Sequence, residues 1–205
     1  RGLLESAVGF LAFGLALPVG LLCGLGRPLL SLWLGPDFAE LDTLLIVLVA
    51  HLAVNLAGRP IGYLLTAHNK VKQQGLVTLV LGVVNIVLAV ALALWANWGV
   101  LGIAAAAAIV WTLKNTLILP VYAARVLGLD WWAFLPRLAG GAAAVLGIAL
   151  AGRALAALWP PHDWIGLAAM AGAISALYLI ILIGLIIRPD DRRLISRLIL
   201  RRAHD

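Results

Sequence analysis

Six long apolar segments restrict the fold of this chain more than any other feature of its sequence. A helix needs about 20 predominantly apolar residues to cross the roughly 30 Å hydrocarbon core of a bilayer. Six segments meet this length, at residues 4–26, 41–66, 73–96, 99–124, 136–158 and 164–187. Hydrophobic residues make up 64% of the chain and charged residues only 12%, which excludes an ordinary soluble domain. We therefore predict an all-α, polytopic membrane protein with six transmembrane helices.

The distribution of charge predicts the orientation of these spans. Most basic residues lie on one side, namely Arg1, Lys70, Lys72, Arg125, Arg137 and the arginines of residues 188–205. The opposite connections contain Asp37, Glu40, Asp42 and Asp163, with Arg27 as a lone cation at a helix end. Because lysine and arginine are retained in cytoplasmic loops, both termini are predicted to be cytoplasmic. The net charge of +6 then reflects topology, and no nucleic-acid partner is expected.

Residues 188–205 follow the last span and form a separate basic segment. Leu194, Ile195, Leu198 and Ile199 share one helical face, and Arg193, Arg197 and Arg201 lie on another. This pattern predicts an amphipathic cytoplasmic helix on anionic membrane lipids. The alternative is a solvated basic tail that only sets topology.

The stretch HLAVNLAGRPIGYLLTAHNK places polar residues inside the second span. His51, Asn55 and Arg59 are spaced i, i+4 and i+8, so they share one helical face. An arginine in mid-membrane costs at least about 2.5–3.5 kcal/mol, so this face should meet protein or a water-filled cavity. Pro60 should kink the helix and serve as a hinge.

The third and fourth spans contain further candidate site residues. Asn85 lies on a face of small and polar residues in the third span, for which close helix packing alone is the alternative. Lys114 and Asn115 lie in the fourth span, and Pro120 is a second predicted hinge. Arg59 and Lys114 are at similar depth, with no carboxylate in spans two to four, so an anionic ligand is one expected partner. The alternatives are snorkelling to the headgroups or a structural ion pair, for example with Glu5.

Other chemistry has little support in the sequence. Cys23 is the only cysteine, and the histidines have no metal-ligand spacing. No catalytic motif is present, so we predict a protein that is not an enzyme and that needs no metal or cofactor. Arg153, near the end of the fifth span, is expected to snorkel.

Two stretches resemble a known family. LLSLWLGPDFAE, and the segment from AHNKVKQQ through NIVLAVALALWANWGVLGIAAAAAIVWTLKNTLILPVYAARVLGLD, are similar to bacterial polysaccharide and O-antigen flippases of the multidrug/oligosaccharidyl-lipid/polysaccharide exporter superfamily. The resemblance covers residues 1–130. It implies that spans one to four correspond to helices nine to twelve of a two-lobed transporter, and spans five and six to two additional helices. The chain, which begins at Arg1, is then expected to lack its N-terminal lobe.

This resemblance implies a function in polysaccharide or lipopolysaccharide biosynthesis at the bacterial inner membrane. The substrate would be an undecaprenyl diphosphate-linked oligosaccharide, bound by Arg59 and Lys114 and hydrogen-bonded by His51, Asn55, Asn85 and Asn115. Three alternatives remain: a drug/cation antiporter of the same superfamily, a membrane enzyme acting on lipid-linked sugars, and a non-transporting membrane fragment or subunit. The antiporter would need a buried carboxylate, and the enzyme would need large loops.

Overall fold

The computed structural model describes residues 2–67, 69, 71–128, 132 and 135–186. These residues form helices and short connections, and none of them lies in a strand, which confirms the all-α prediction. The α-helices are α1 (Gly2–Leu34), α2 (Asp42–Ala50), α3 (Leu52–Ala57), α4 (Arg59–Ala67), α5 (Val71–Val90), α6 (Gly99–Leu113), α7 (Leu119–Leu127), α8 (Leu135–Leu158) and α9 (Trp164–Ile186). Lys70 and the predicted tail at 188–205 lie outside the described residues.

Six helical stretches are long and apolar enough to cross a membrane, as predicted. They are Ala7–Leu34, Pro36–Ala57, Val71–Trp95, Val100–Val126, Leu135–Leu158 and Trp164–Gly184. The first span continues as one helix to Leu34, beyond the predicted end at residue 26, through Arg27 and the apolar stretch PLLSLWL. The second stretch begins with the 3₁₀ turn Pro36–Leu41 and ends at Ala57, before the predicted end at residue 66. Helix α4 follows after Gly58, and the whole α2–α3–α4 series is here called the second span.

Helices α1 and α8 form the most extensive contact in the bundle, because small residues allow their backbones to approach closely. A Cβ atom on Gly24 would lie 2.9 Å from the carbonyl oxygen of Ala149 and 3.2 Å from the Cα of Gly152. A Cβ atom on Gly141 would lie 2.7 Å from the Cβ of Ala12. These approaches leave no room for a side chain at either glycine.

Two clusters of buried side chains hold the helices around α1. The first contains Val8 of α1, Ile61 and Leu65 of α4 and Leu119 of α7. The second joins α1 to α8 and α9, and there the Tyr178 hydroxyl donates a hydrogen bond of 2.7 Å to the carbonyl oxygen of Phe13. Helix α1 is therefore central to this part of the bundle, because α8, α9 and the α2–α4 series all contact it.

An ion pair joins α2 to α8 at the end of the bundle where α2 begins, here called the Asp42 end. Arg153 Nη2 pairs with Asp42 Oδ2, and Arg153 Nε lies 3.4 Å from the carbonyl oxygen of Cys23. Arg153, which is expected to snorkel, thus has a carboxylate partner on another span as its counter-charge.

Candidate functional site

The second span is broken where its polar residues lie. Helix α3 ends at Ala57 and α4 begins at Arg59, with Gly58 between them. Pro60 has no N–H to donate, and its ring disfavours a continuous helix through the preceding turn. The N–H of Ile61 instead bonds the carbonyl of Gly58 at 3.1 Å, in a tighter turn. This break places Arg59 at the start of a new helix, on the same side as Asn55.

The fourth span also departs from regular helix beside its polar residues. Between α6 and α7, residues Lys114–Ile118 form a π-helical turn, and the buried Pro120 follows. A proline at this position leaves the carbonyl four residues earlier without its helical donor, and a wider turn accommodates the mismatch. Lys114 and Asn115 are both on this wider turn.

These two irregular segments and the start of α5 enclose a cavity of about 540 Å³, here called the polar cavity. Its lining residues are His51, Leu52, Asn55, Leu56, Arg59, Gly62, Tyr63, Thr66, Gln74, Trp111, Lys114, Asn115 and Leu119. Five of the six predicted site residues are therefore together in one place. Both irregular segments contribute polar side chains to the wall of the polar cavity.

A chain of amide hydrogen bonds crosses the polar cavity. Asn115 Nδ2 donates to Asn55 Oδ1 at 3.2 Å, and Asn55 Nδ2 lies 3.0 Å from His51 Nδ1. The first of these bonds joins the fourth span to the second. The network thus holds three of the predicted residues in a defined arrangement.

Lys114 extends from the fourth span toward α5. Its Nζ donates a hydrogen bond of 2.9 Å to Thr78 Oγ1 and lies 4.7 Å from the centre of the Trp111 ring. An aromatic face attracts a cation through its quadrupole, but it does not neutralise the charge. The Lys114 amino group is therefore positioned by neutral partners, Thr78 and Trp111, rather than by a carboxylate.

Arg59 lines the same cavity with an exposed side chain. Among the residues whose side chains the structure describes, a set that leaves out Glu5, no carboxylate lies within ion-pair distance of Arg59 or Lys114, and none lines the polar cavity. The same part of the chain contains no cluster of histidine, cysteine and acidic residues that could hold a metal ion. The cavity is consequently cationic, with amide and hydroxyl groups around it.

Asn85 is separate from this group. It does not line the polar cavity, and its Oδ1 is buried without a hydrogen-bond partner among the described residues. The structure instead brings in Gln74 and Thr78, which lie three and two turns earlier on the same helix. Gln74 lies within the predicted third span, and its i, i+4 spacing to Thr78 is a signal that the two residues share one face.

Tyr63 and Trp111 complete the wall with aromatic surface, and sequence reasoning did not select either as a site residue. A second cavity of about 740 Å³ adjoins the first and shares Gln74 and Trp111 with it. Its other walls are mainly apolar side chains of α5, including Leu79, Val83 and Ile86. A polar, cationic compartment thus opens beside an apolar one.

Comparison with known proteins identifies one informative relative. The chain is 36% identical over 183 residues to the uncharacterized membrane protein EpsK of Bacillus subtilis (strain 168). The match covers 89% of this chain but only 36% of the length of that protein. No protein-family model matches the chain, and no solved structure matches it. The relative and the six apolar helices agree on a multi-pass membrane protein.

Proposed function

We propose that this chain is part of a flippase that moves undecaprenyl diphosphate-linked oligosaccharide across the bacterial inner membrane. One observation carries the proposal: Arg59 and Lys114 line one cavity that no described carboxylate lines. Two cations inside a membrane protein are costly unless a counter-charge accompanies them. A diphosphate entering the cavity supplies that counter-charge.

Electrostatics favours a diphosphate over a neutral glycan as the group held there. At about 4 Å and an effective dielectric constant of 20, one pair of opposite charges attracts by roughly 4 kcal/mol before desolvation is subtracted. The planar guanidinium of Arg59 matches two phosphate oxygens, and the ammonium of Lys114 acts as a point charge. Each cation thus has a distinct part in binding.

The remaining walls suit the other parts of such a substrate. Amide and hydroxyl groups of Asn55, Asn115 and Thr66 can exchange hydrogen bonds with sugar hydroxyls, while Tyr63 and Trp111 offer aromatic faces. The adjoining apolar cavity along α5 can accommodate part of a polyprenyl chain. This pairing of compartments supports an amphiphilic substrate.

Movement in the proposed mechanism occurs at the two proline-associated breaks. Pro60 and Pro120 lie beside the irregular turns that present Arg59 and Lys114. A change of angle at either break would move a cation without unfolding its span. The second lobe, which a two-lobed exporter requires, would come from a further part of the protein, since the chain matches only 36% of its relative.

A drug/cation antiporter is the second candidate, and the residues that line the polar cavity support it less well than a flippase. Such a protein would use a carboxylate to exchange a cation or proton, and none lines the polar cavity in the described part of the chain. A non-transporting subunit would have no use for unpaired intramembrane cations. The experiment below separates these possibilities.

The test uses the intact protein, reconstituted with a fluorescent undecaprenyl diphosphate-linked oligosaccharide. We expect Arg59→Gln and Lys114→Gln each to reduce translocation at least about tenfold, since each loses charge-assisted hydrogen bonds to phosphate. Arg59→Lys should retain intermediate activity, because it keeps the charge but loses the paired geometry. Arg125→Gln removes an exposed arginine outside the cavity and is the matched control. Normal translocation by both cavity variants at normal expression would refute the proposal.

A further inference from the structure

A second charged cavity lies at the Asp42 end of the bundle. It has a volume of about 420 Å³ and lies between α1, α2, α8 and the turn that follows α8. Arg27, Ser31, Asp42 and Arg153 contribute its polar groups. It shares no lining residue with the polar cavity described above.

The charges in this cavity do not balance. Asp42 is paired with Arg153, and its second oxygen, Oδ1, is buried without a hydrogen-bond partner in the described structure. That oxygen packs against Gly26, since a Cβ atom there would lie 2.8 Å from it. Arg27, exposed on the next residue of α1, has no ion pair with any described residue. One carboxylate and two guanidinium groups thus line the cavity, which keeps a net positive charge.

Three exposed tryptophans show the depth of this cavity in the membrane. Trp33 follows Arg27 on α1, Trp159 follows α8, and Trp164 begins α9, with 69%, 76% and 52% of their surfaces exposed. Tryptophan is enriched where the hydrocarbon meets the headgroups. The cavity is therefore at headgroup level, where the anions that a protein meets are mainly lipid phosphates.

We propose that this cavity, with Arg27 as its principal contact, is a binding site for a lipid-borne phosphate in the leaflet at the Asp42 end. Arg27 has the geometry for two phosphate oxygens, and Arg153 adds charge behind it while holding Asp42. Ser31, one turn beyond Arg27, offers a hydroxyl. Pro28, Pro160 and Pro161 form an apolar rim on which the first carbons of the lipid can rest. The inference does not depend on what the polar cavity carries.

The test is photo-crosslinking of the intact protein in nanodiscs. The probe is phosphatidylglycerol with a diazirine near its headgroup, and crosslinks are quantified on peptides spanning residues 24–31 and 153–161. We expect Arg27→Gln to lower the yield on these peptides about tenfold, because it removes the charge-assisted contact. Arg27→Lys should retain most of the yield, and Arg125→Gln, at an arginine outside this cavity, should leave it unchanged.

Competition identifies the source of the phosphate. Displacement by unlabelled phosphatidylglycerol and by undecaprenyl phosphate supports a general lipid-phosphate site, and displacement by undecaprenyl phosphate alone supports a second site for a transported lipid. Displacement by inorganic phosphate at an equal concentration would overturn the assignment to a lipid. Equal crosslinking of a neutral diacylglycerol probe, or an unchanged yield with Arg27→Gln, would overturn the site itself.

Discussion

Lys114 Nζ lies 2.9 Å from Thr78 Oγ1 and donates a hydrogen bond to it across the contact between the fourth span and α5. The Thr78 hydroxyl in turn donates to the carbonyl oxygen of Gln74 at 2.8 Å, so its single proton is used and an oxygen lone pair remains for the ammonium. The lysine is thus held within the bundle by a hydroxyl that is itself fixed to its own helix. This relationship explains how a cation is positioned without a carboxylate.

The coupling between Lys114 and Thr78 can be measured in a double-mutant cycle. We expect Thr78→Val to lower the free energy of unfolding by about 1–2 kcal/mol, since a part-buried ammonium loses its acceptor. Combined with Lys114→Met, the two changes should be non-additive by about 1 kcal/mol. SDS titration in mixed micelles provides the measurement. Thr116→Val, which removes a hydroxyl bonded only within its own span, is the control, and additivity within about 0.3 kcal/mol would contradict the coupling.

Close approach of α1 and α8 should make Gly24 intolerant of even one methyl group. Gly24→Ala places a Cβ atom 2.9 Å from a backbone oxygen, and we expect a loss of about 1–3 kcal/mol because backbone atoms cannot move aside cheaply. Gly14→Ala, on the same helix, meets nothing within 4 Å and should be neutral or slightly stabilising. The same SDS titration compares them. Equal stability of the two variants would show that α1 and α8 are not so closely packed.

The Asp42–Arg153 ion pair should contribute modestly to stability. The Arg153 side chain is 50% exposed and that of Asp42 14%, so solvent screens the pair from one side. Asp42→Asn and Arg153→Gln should each destabilise the protein, and a cycle with the double variant should give a coupling of about 1 kcal/mol. Raising the salt concentration should reduce this coupling. A coupling free energy of zero at low salt would show that this ion pair does not stabilise the protein.

Membrane orientation is tested by cysteine labelling in a Cys23→Ala background. The exposed positions Asp37 and Lys72 lie at the beginning of the second and third apolar stretches, next to Pro36 and Val71. The predicted topology places the positively charged loops in the cytoplasm. Asp37→Cys should then react with an impermeant maleimide in intact spheroplasts, whereas Lys72→Cys should react only after permeabilisation. Labelling of position 72 alone in the intact spheroplasts would reverse the topology.

Much of this protein follows from its sequence by itself. The six spans are determined by hydrophobic length, because the bilayer requires about 20 apolar residues per helix whatever the neighbours are. The i, i+4, i+8 spacing also places His51, Asn55 and Arg59 on one face, since helical periodicity is a local property. The breaks near Pro60 and Pro120 are equally local, because a missing N–H acts within its own turn.

Only the tertiary structure decided which faces meet. Helical periodicity puts Thr78 and Asn85 on one face of α5, but the depth and rotation of this helix bring Thr78 to Lys114 and leave Asn85 apart from the polar cavity. Arg153 forms an ion pair with Asp42 because α8 packs against the C-terminal part of α1, which lies beside the first residue of α2. Pairings between spans depend on how side chains of different helices interlock, and the sequence of one helix does not state the rotation or depth of the helix beside it.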